Sequence, residues 1–298
     1  MRKTKLKPYV LKVKGAKKYA LFNFLTGEYY TITPEGDMDE LKKNLKDAGL
    51  TFETEGTVPF QLQVDLTGET GMVRLRELQI RVNGSAENNC WERKKVSHKD
   101  KQDRSVKTTM DETLLPLLKE ELRHIPVKKL RVEAETDERD KIAFLLRELP
   151  CEEVVLYVQK GLEQQAREEY ETICRDRNVG LDILAEGKRD IARIEFVPST
   201  FFYNRQFNPC LGGQAAVDRG GEIRPCLWSK DVLGVIGRDN LKDMIISGKF
   251  EPYWKQTKDT IDVCKDCEMR YVCNDCRVNE EGSMTRKPSF CTYDPFSS

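Results

Sequence analysis

Seven of the ten cysteines in this 298-residue chain fall between Cys210 and Cys291. The densest run is Cys264-Lys-Asp-Cys267-Glu-Met-Arg-Tyr-Val-Cys273-Asn-Asp-Cys276. Cys226 lies 37 intervening residues before it, Cys210 further upstream, and Cys291 follows after 14 intervening residues. Thiolates are soft ligands, and short loops between them let several sulfurs converge on one inorganic centre. In a reducing compartment disulfides do not persist, so packed cysteines there point to ligation rather than cross-linking. Two chemistries compete for them. Iron–sulfur clusters draw four cysteines each, so seven nearly satisfy two clusters. Four-cysteine zinc sites also use C-x2-C knuckles, but here the two knuckles stand five residues apart, far closer than the roughly 15–20 residues of a zinc ribbon. Spacing alone leaves zinc open, because both metals accept tetrahedral thiolates.

The elements that must hold these residues come in three regions. Residues 1–65 read as a β-meander, Tyr9-Val-Leu-Lys-Val, Tyr19-Ala-Leu-Phe-Asn-Phe and Tyr29-Tyr-Thr-Ile, followed by one amphipathic helix. That helix is capped by Asp37 with Glu40 three residues on, carries Met38, Leu41 and Leu45 on one face, and stops at Gly49. An extended segment runs from Thr51 to Val64. Residues 70–198 alternate strand and helix: strands at Leu78–Val82, Leu130–Val132, Val154–Val158 and Leu181–Leu184 separated by three helices, the first from about Thr109 to Ile125 with a kink expected at Pro116. Four strands with βα spacing predict an α/β fold with a parallel sheet. Ile191–Val197 reads as a fifth strand or a crossing segment. Residues 200–298 hold the cysteine constellation.

The cysteine pattern and its surroundings resemble the SPASM domain of peptide-modifying radical SAM proteins. The resemblance rests on Cys210-x10-Gly221-x4-Cys226, Cys264-x2-Cys267-x5-Cys273, a further cysteine and Cys291. It extends to Gly220-Gly221-Glu-Ile-Arg-Pro-Cys226, Leu233-Gly-Val-Ile-Gly237 with Leu241, Trp254, Ile261, and Cys267-Glu-Met-Arg-Tyr271. It implies two 4Fe-4S clusters, the first held by Cys210, Cys226 and Cys276 and the second by Cys264, Cys267, Cys273 and Cys291. Two departures stand out: Cys273 and Cys276 are separated by two residues where the common pattern has three, and no cysteine lies shortly upstream of Cys210. The first cluster then has one ligand position unfilled by cysteine, the kind of open position that chemistry at a metal requires.

The C-x3-C-x2-C triplet that holds the SAM-cleaving cluster is absent, and Cys90 alone follows the first strand of the alternating region. The whole chain therefore resembles the grasp-with-SPASM and pseudo-radical-SAM peptide maturases. That resemblance implies a degenerate half barrel of the radical SAM type, no SAM, and a precursor peptide as partner. An ATP-grasp ligase or an intact radical SAM protein would be a further partner, and the N-terminal region is similar to precursor-recognition domains. The function implied is that of an accessory protein or maturase in modification of a ribosomally made peptide. The alternative is a noncatalytic, metal-stabilised scaffold that delivers the peptide.

Other features weigh less. Lysine plus arginine number 50 and aspartate plus glutamate 50, so no global charge draws the chain to nucleic acid or anionic lipid. No apolar run nears the roughly 20 residues of a membrane span, and the basic start, Met1 to Pro8, lacks the apolar stretch of a secretory signal, so a cytoplasmic location is expected. Arg2, Lys3, Lys5, Lys7, Lys12, Lys14, Lys17 and Lys18 meet no acidic residue before Glu28; they read as a solvated edge or as a dock for an acidic peptide. The basic stretch from Trp91 to Lys107 reads as a solvated connector. Cys90, Cys151 and Cys174 read as small buried hydrophobes, His98 and His124 as surface or packing residues, Trp228 and Trp254 as packing over the clusters, and the Gly212-Gly213 and Gly220-Gly221 pairs as turns between short strands.

Overall fold

The computed structural model describes residues 3–7, 9–33, 38–54, 75–81, 110, 112–134, 138–185, 192–276, 285–288 and 290–297. The chain forms two compact units. One comprises Met1–Thr70, Ile191–Cys210 and Gln256–Ser298; the other comprises Gly71–Asp190 and Leu211–Lys255. Residues 200–298, read above as one region, are thus shared between both units.

In the first unit, β2 (Val10–Lys14), β3 (Tyr19–Asn23) and β4 (Glu28–Ile32) form an antiparallel meander in the order β2-β3-β4. Alternation sends the side chains of β3 to both faces. Ala20 and Phe22 join Val13, Phe201, Phe202 and Val272 in one apolar cluster, while Leu21 joins Val10 and Leu50 in another. Helix α1 (Met38–Asp47) follows as its spacing predicts, and Gly49 ends it at φ +68. That left-handed turn lets Gly49 N donate to Lys46 O and Leu50 N to Leu45 O, which satisfies carbonyls the helix end would otherwise leave bare. Asp37, the expected cap, lies outside the described residues. A strand that sequence patterning did not reveal, β1 (Lys3–Leu6), pairs antiparallel with β5 (Thr51–Thr54).

The second unit is a mixed α/β layer. Strands β6 (Leu75–Arg81), β7 (Val127–Glu133), β8 (Cys151–Val158) and β9 (Gly180–Ala185) run parallel, with α2 (Leu114–Leu122), α3 (Arg139–Glu148) and α4 (Glu163–Asp176) between them. Leu78, Leu130 and Val154 are aligned across the sheet, as are Ile80, Val132 and Leu156, and both rows are buried with Leu118, Leu122, Ile142, Leu145 and Tyr170 of the helices. On alternate positions Arg81 pairs with Glu133 at 3.2 Å, and the Arg131 guanidinium stands 5.3 Å from the Tyr157 ring centroid. Pro116 falls in the first turn of α2, where a backbone N–H has no helical partner anyway, so the expected kink is not required.

The same sheet continues beyond the predicted alternation. After α5 (Pro198–Asn204) of the first unit, β11 (Gln214–Val217) lies parallel to β6, and β12 (Glu222–Arg224) and β13 (Gly234–Val235) add antiparallel. The order is β13-β12-β11-β6-β7-β8-β9, an open sheet. The segment near Ile191 is not part of it: β10 (Ala192–Ile194) pairs antiparallel with β14 (Cys273–Asp275) in the first unit. No described helix is long and apolar enough to cross a membrane. Cys90, His98 and the basic stretch 91–107 lie outside the described residues.

Candidate metal centre

The cysteine-rich run folds as a series of tight turns rather than regular elements. One 3-10 turn, Lys258–Thr260, precedes it and another, Cys264–Asp266, opens it, and Val263 between them has φ +68. A β-branched residue in that region costs about 1–2 kcal/mol and persists only where its surroundings over-determine it. The strain sits directly before Cys264. From there Cys267 N donates to Cys264 O at 3.0 Å and Cys273 N to Met269 O at 3.0 Å, which folds the C-x2-C-x5-C segment back on itself. Cys273 then enters β14 opposite Ile194.

Five attachments hold this loop. Val272 is fully buried among Phe22, Phe201 and Phe202, and Tyr271 meets Phe201 edge-on at 5.4 Å. Asn204 of α5 donates to Tyr271 O and to Asn274 Oδ1, each at 3.0 Å. Asp259 accepts from Arg270 Nε at 2.8 Å and from the Tyr271 hydroxyl at 2.9 Å. The end of β2 is stitched on by Ala16 N to Asp266 O at 2.7 Å and by Arg270 Nη1 to Lys14 O at 2.9 Å. The C-terminal segment joins through Asp262 N to Thr285 O at 2.8 Å, and Cys291 N donates to Pro288 O at 3.0 Å.

This brings Cys264, Cys267, Cys273 and Cys291 into one neighbourhood. Cys267 is within electrostatic reach of Cys264 and Cys291, and Cys273 of Cys264 and Cys267. All four are half-buried. They share a neighbourhood and not a finished ligand sphere: among the described residues, no group of three or more His, Cys, Asp or Glu side chains is arranged to hold a metal ion. The donor set nevertheless suits a thiophilic centre, being four sulfurs with no competing histidine among them. Glu268 adds an orphaned acceptor. It is 1% exposed, its Oε1 accepts from the Tyr293 hydroxyl, and its Oε2 has no hydrogen-bond partner among the described residues.

Burial pushes the Cys273 thiol up to about 12, against the pull of Lys258 and with a further push from Asp275 and the neighbouring thiols. Burial likewise raises Cys267 to about 11, against the Met269 backbone amide that hydrogen-bonds its sulfur. A metal takes thiolates, so loading must expel at least these two protons. The apparent affinity for cadmium should fall about a hundredfold or more for each unit of pH lowered below about 8, read from the thiolate charge-transfer absorbance. In the metal-free chain the sign runs the other way. The fold holds these protons more tightly than the unfolded chain does, so their contribution is whole below pH 9.0 and is lost as pH rises through 11 and 12.

Cys210 and Cys276 belong to the same unit, both half-buried, and Cys210 N donates to Asn208 Oδ1 at 2.9 Å. Cys226 belongs to the other unit and is 2% exposed. Its loop is clamped on both sides, by Gln214 Nε2 to Pro225 O at 3.1 Å and by Leu227 N to Gln79 Oε1 at 3.2 Å. In that unit Cys174 is part of the apolar core and Cys151 packs against it. Trp254 stacks on Phe250 at 5.3 Å and donates to Gln214 O at 2.7 Å, Trp228 lies over Arg81 at 5.9 Å, and His124 is exposed.

Sequence reasoning missed three residues beside the four cysteines: Gly15, Glu268 and Lys258. Glu268 stood only within the Cys267–Tyr271 motif, and neither Gly15 nor Lys258 drew attention as a site residue. Lys258 is 2% exposed and ion-paired with Asp275, itself 3% exposed.

No protein-family model and no curated protein matches this chain. Among solved structures, a crystal structure of selenomethionine-labelled BtrN in an open conformation is similar at 16% identity, covering 65% of this chain and 92% of that chain with a TM-score of 0.38.

Proposed function

We propose that this chain is an iron–sulfur protein of the SPASM type that serves the modification of a ribosomally made peptide without cleaving SAM. The observation that carries the reading is the meeting in one unit of Cys264, Cys267 and Cys273, on a loop held by an aromatic cluster and by the end of β2, with Cys291 of the C-terminal segment. These four would hold one 4Fe-4S cluster, and Cys210 and Cys276 of the same unit would be ligands of a second. A cluster supplies electron storage at a potential set by burial and hydrogen bonds. The chain's own residues would hold the sulfurs in place through the backbone turns at Cys267 and Cys273. The open, largely parallel sheet of the other unit is consistent with a half barrel, and the meander unit is the candidate dock for the precursor peptide. An ATP-grasp ligase or radical SAM protein is the expected partner.

Anaerobic reconstitution followed by dithionite reduction tests the cluster half: an EPR signal of a reduced 4Fe-4S centre is expected, and a colourless, EPR-silent zinc protein overturns it. Co-expression with the genes that neighbour it tests the peptide half. The peptide encoded there should change in mass with the wild-type chain and not with Cys273→Ala.

A further inference from the structure

We propose that the buried Lys258–Asp275 pair sets the charge that the thiolate site can carry, with Lys258 as counter-ion to the metal-bound sulfurs and Asp275 as its counterweight. The inference rests on the reading of the four cysteines as ligands, and on nothing specific to iron. Both side chains are 2% exposed, although lysine and aspartate are almost never fully buried unless paired. A buried ion pair is a poor device for stability, since well-packed apolar residues of the same volume often do as well or better. Its position is more telling than its strength. Lys258 opens the 3-10 turn that leads to Cys264, and Asp275 stands on β14 between Cys273 and Cys276. Cys273 and Cys264 both lie within electrostatic reach of the ammonium.

Four thiolates around a divalent ion carry a net charge of about −2, and a low-dielectric surround makes that charge costly to hold. A fixed cation beside two of the sulfurs stabilises it; a fixed anion opposes it. The Asp275 carboxylate pairs directly with the buried Lys258 ammonium, so each charge stands fixed in place by the other. Removing one partner at a time must therefore move the site in opposite directions.

Cobalt(II), bound to the metal-free full-length chain and followed by its thiolate charge-transfer bands, reads this directly. Lys258→Met should weaken cobalt binding about tenfold or more, Asp275→Asn should tighten it several-fold, and Lys258→Arg should restore nearly the original affinity. A purely structural pair would weaken binding in both deletions, and that same-sign result overturns the inference. If Lys258→Met does not fold, Asp275→Asn and Lys258→Arg decide it: tightening by the first sustains the inference, and weakening ends it. On iron-loaded protein the reduction potential should fall in Lys258→Met and rise in Asp275→Asn. Opposite-signed cobalt shifts in a chain that holds no iron would keep this inference and remove the iron–sulfur reading. Unmoved cobalt affinities in a chain that holds iron would do the reverse.

Discussion

Gly15→Ala is expected to destabilise the metal-centre unit by about 1–3 kcal/mol and to weaken metal retention about tenfold. A Cβ at Gly15 would stand 2.7 Å from Glu268 Oε2, 2.8 Å from Glu268 N and 3.0 Å from Asp266 O. Two of those three atoms are backbone and cannot swing aside. The turn they belong to carries Cys264 and Cys267, and it is fastened to the same place by Ala16 N to Asp266 O. One methyl group therefore pushes on the cysteine loop itself. Urea melts with and without chelator, and metal competition, would measure the two effects separately. Gly27→Ala is the control: its φ of +76 makes alanine strained, yet none of the described residues lies within 4 Å of the added Cβ. It should cost stability, by about 1 kcal/mol, and leave metal retention unchanged. If the two variants lose metal equally, Gly15 has no special relation to the site.

Cys273→Ala should abolish metal retention by the four-cysteine set and bring the thermal stability of the loaded protein down to that of the metal-free chain. Metal binding free energy is folding free energy where the ligands come together only in the fold. Cys174→Ala supplies the comparison. Cys174 is also a free cysteine, 2% exposed, but it packs in the apolar core of the other unit. Its loss should cost about 1 kcal/mol through a small cavity and leave metal content as it was. Equal metal content in both variants, counted by elemental analysis, would remove Cys273 from the ligand set.

Much of the frame was legible because it obeys simple periods. The meander, α1 with its Gly49 stop, and the strand–helix alternation from β6 to β9 follow from two- and 3.6-residue patterns and from turn glycines. Strand β11 was not legible as a member of the parallel sheet. Its Gln-Ala-Ala-Val is too short for a period to emerge, and its partner β6 is distant in sequence. Strand β10 was visible as extended sequence, but only tertiary pairing assigns it to β14. At the site, spacing drew attention to the cysteines and could not say which of them meet. Lys258 was invisible for a physical reason: a lysine in Gln256-Thr-Lys-Asp-Thr260 looks solvated, and only the approach of Asp275 on β14 makes its burial tolerable. Glu268 was hidden similarly, since its partner Tyr293 comes from the far side of Cys291.

The central claim is that Cys264, Cys267, Cys273 and Cys291 hold an iron–sulfur cluster, and the most direct test is a count of iron, sulfide and zinc per chain after anaerobic reconstitution and desalting. About four iron and four sulfide are predicted for this set, rising to about eight of each when a second cluster is loaded as well. The count should drop by about four of each in Cys273→Ala. Stoichiometric zinc with neither iron nor sulfide would contradict the account.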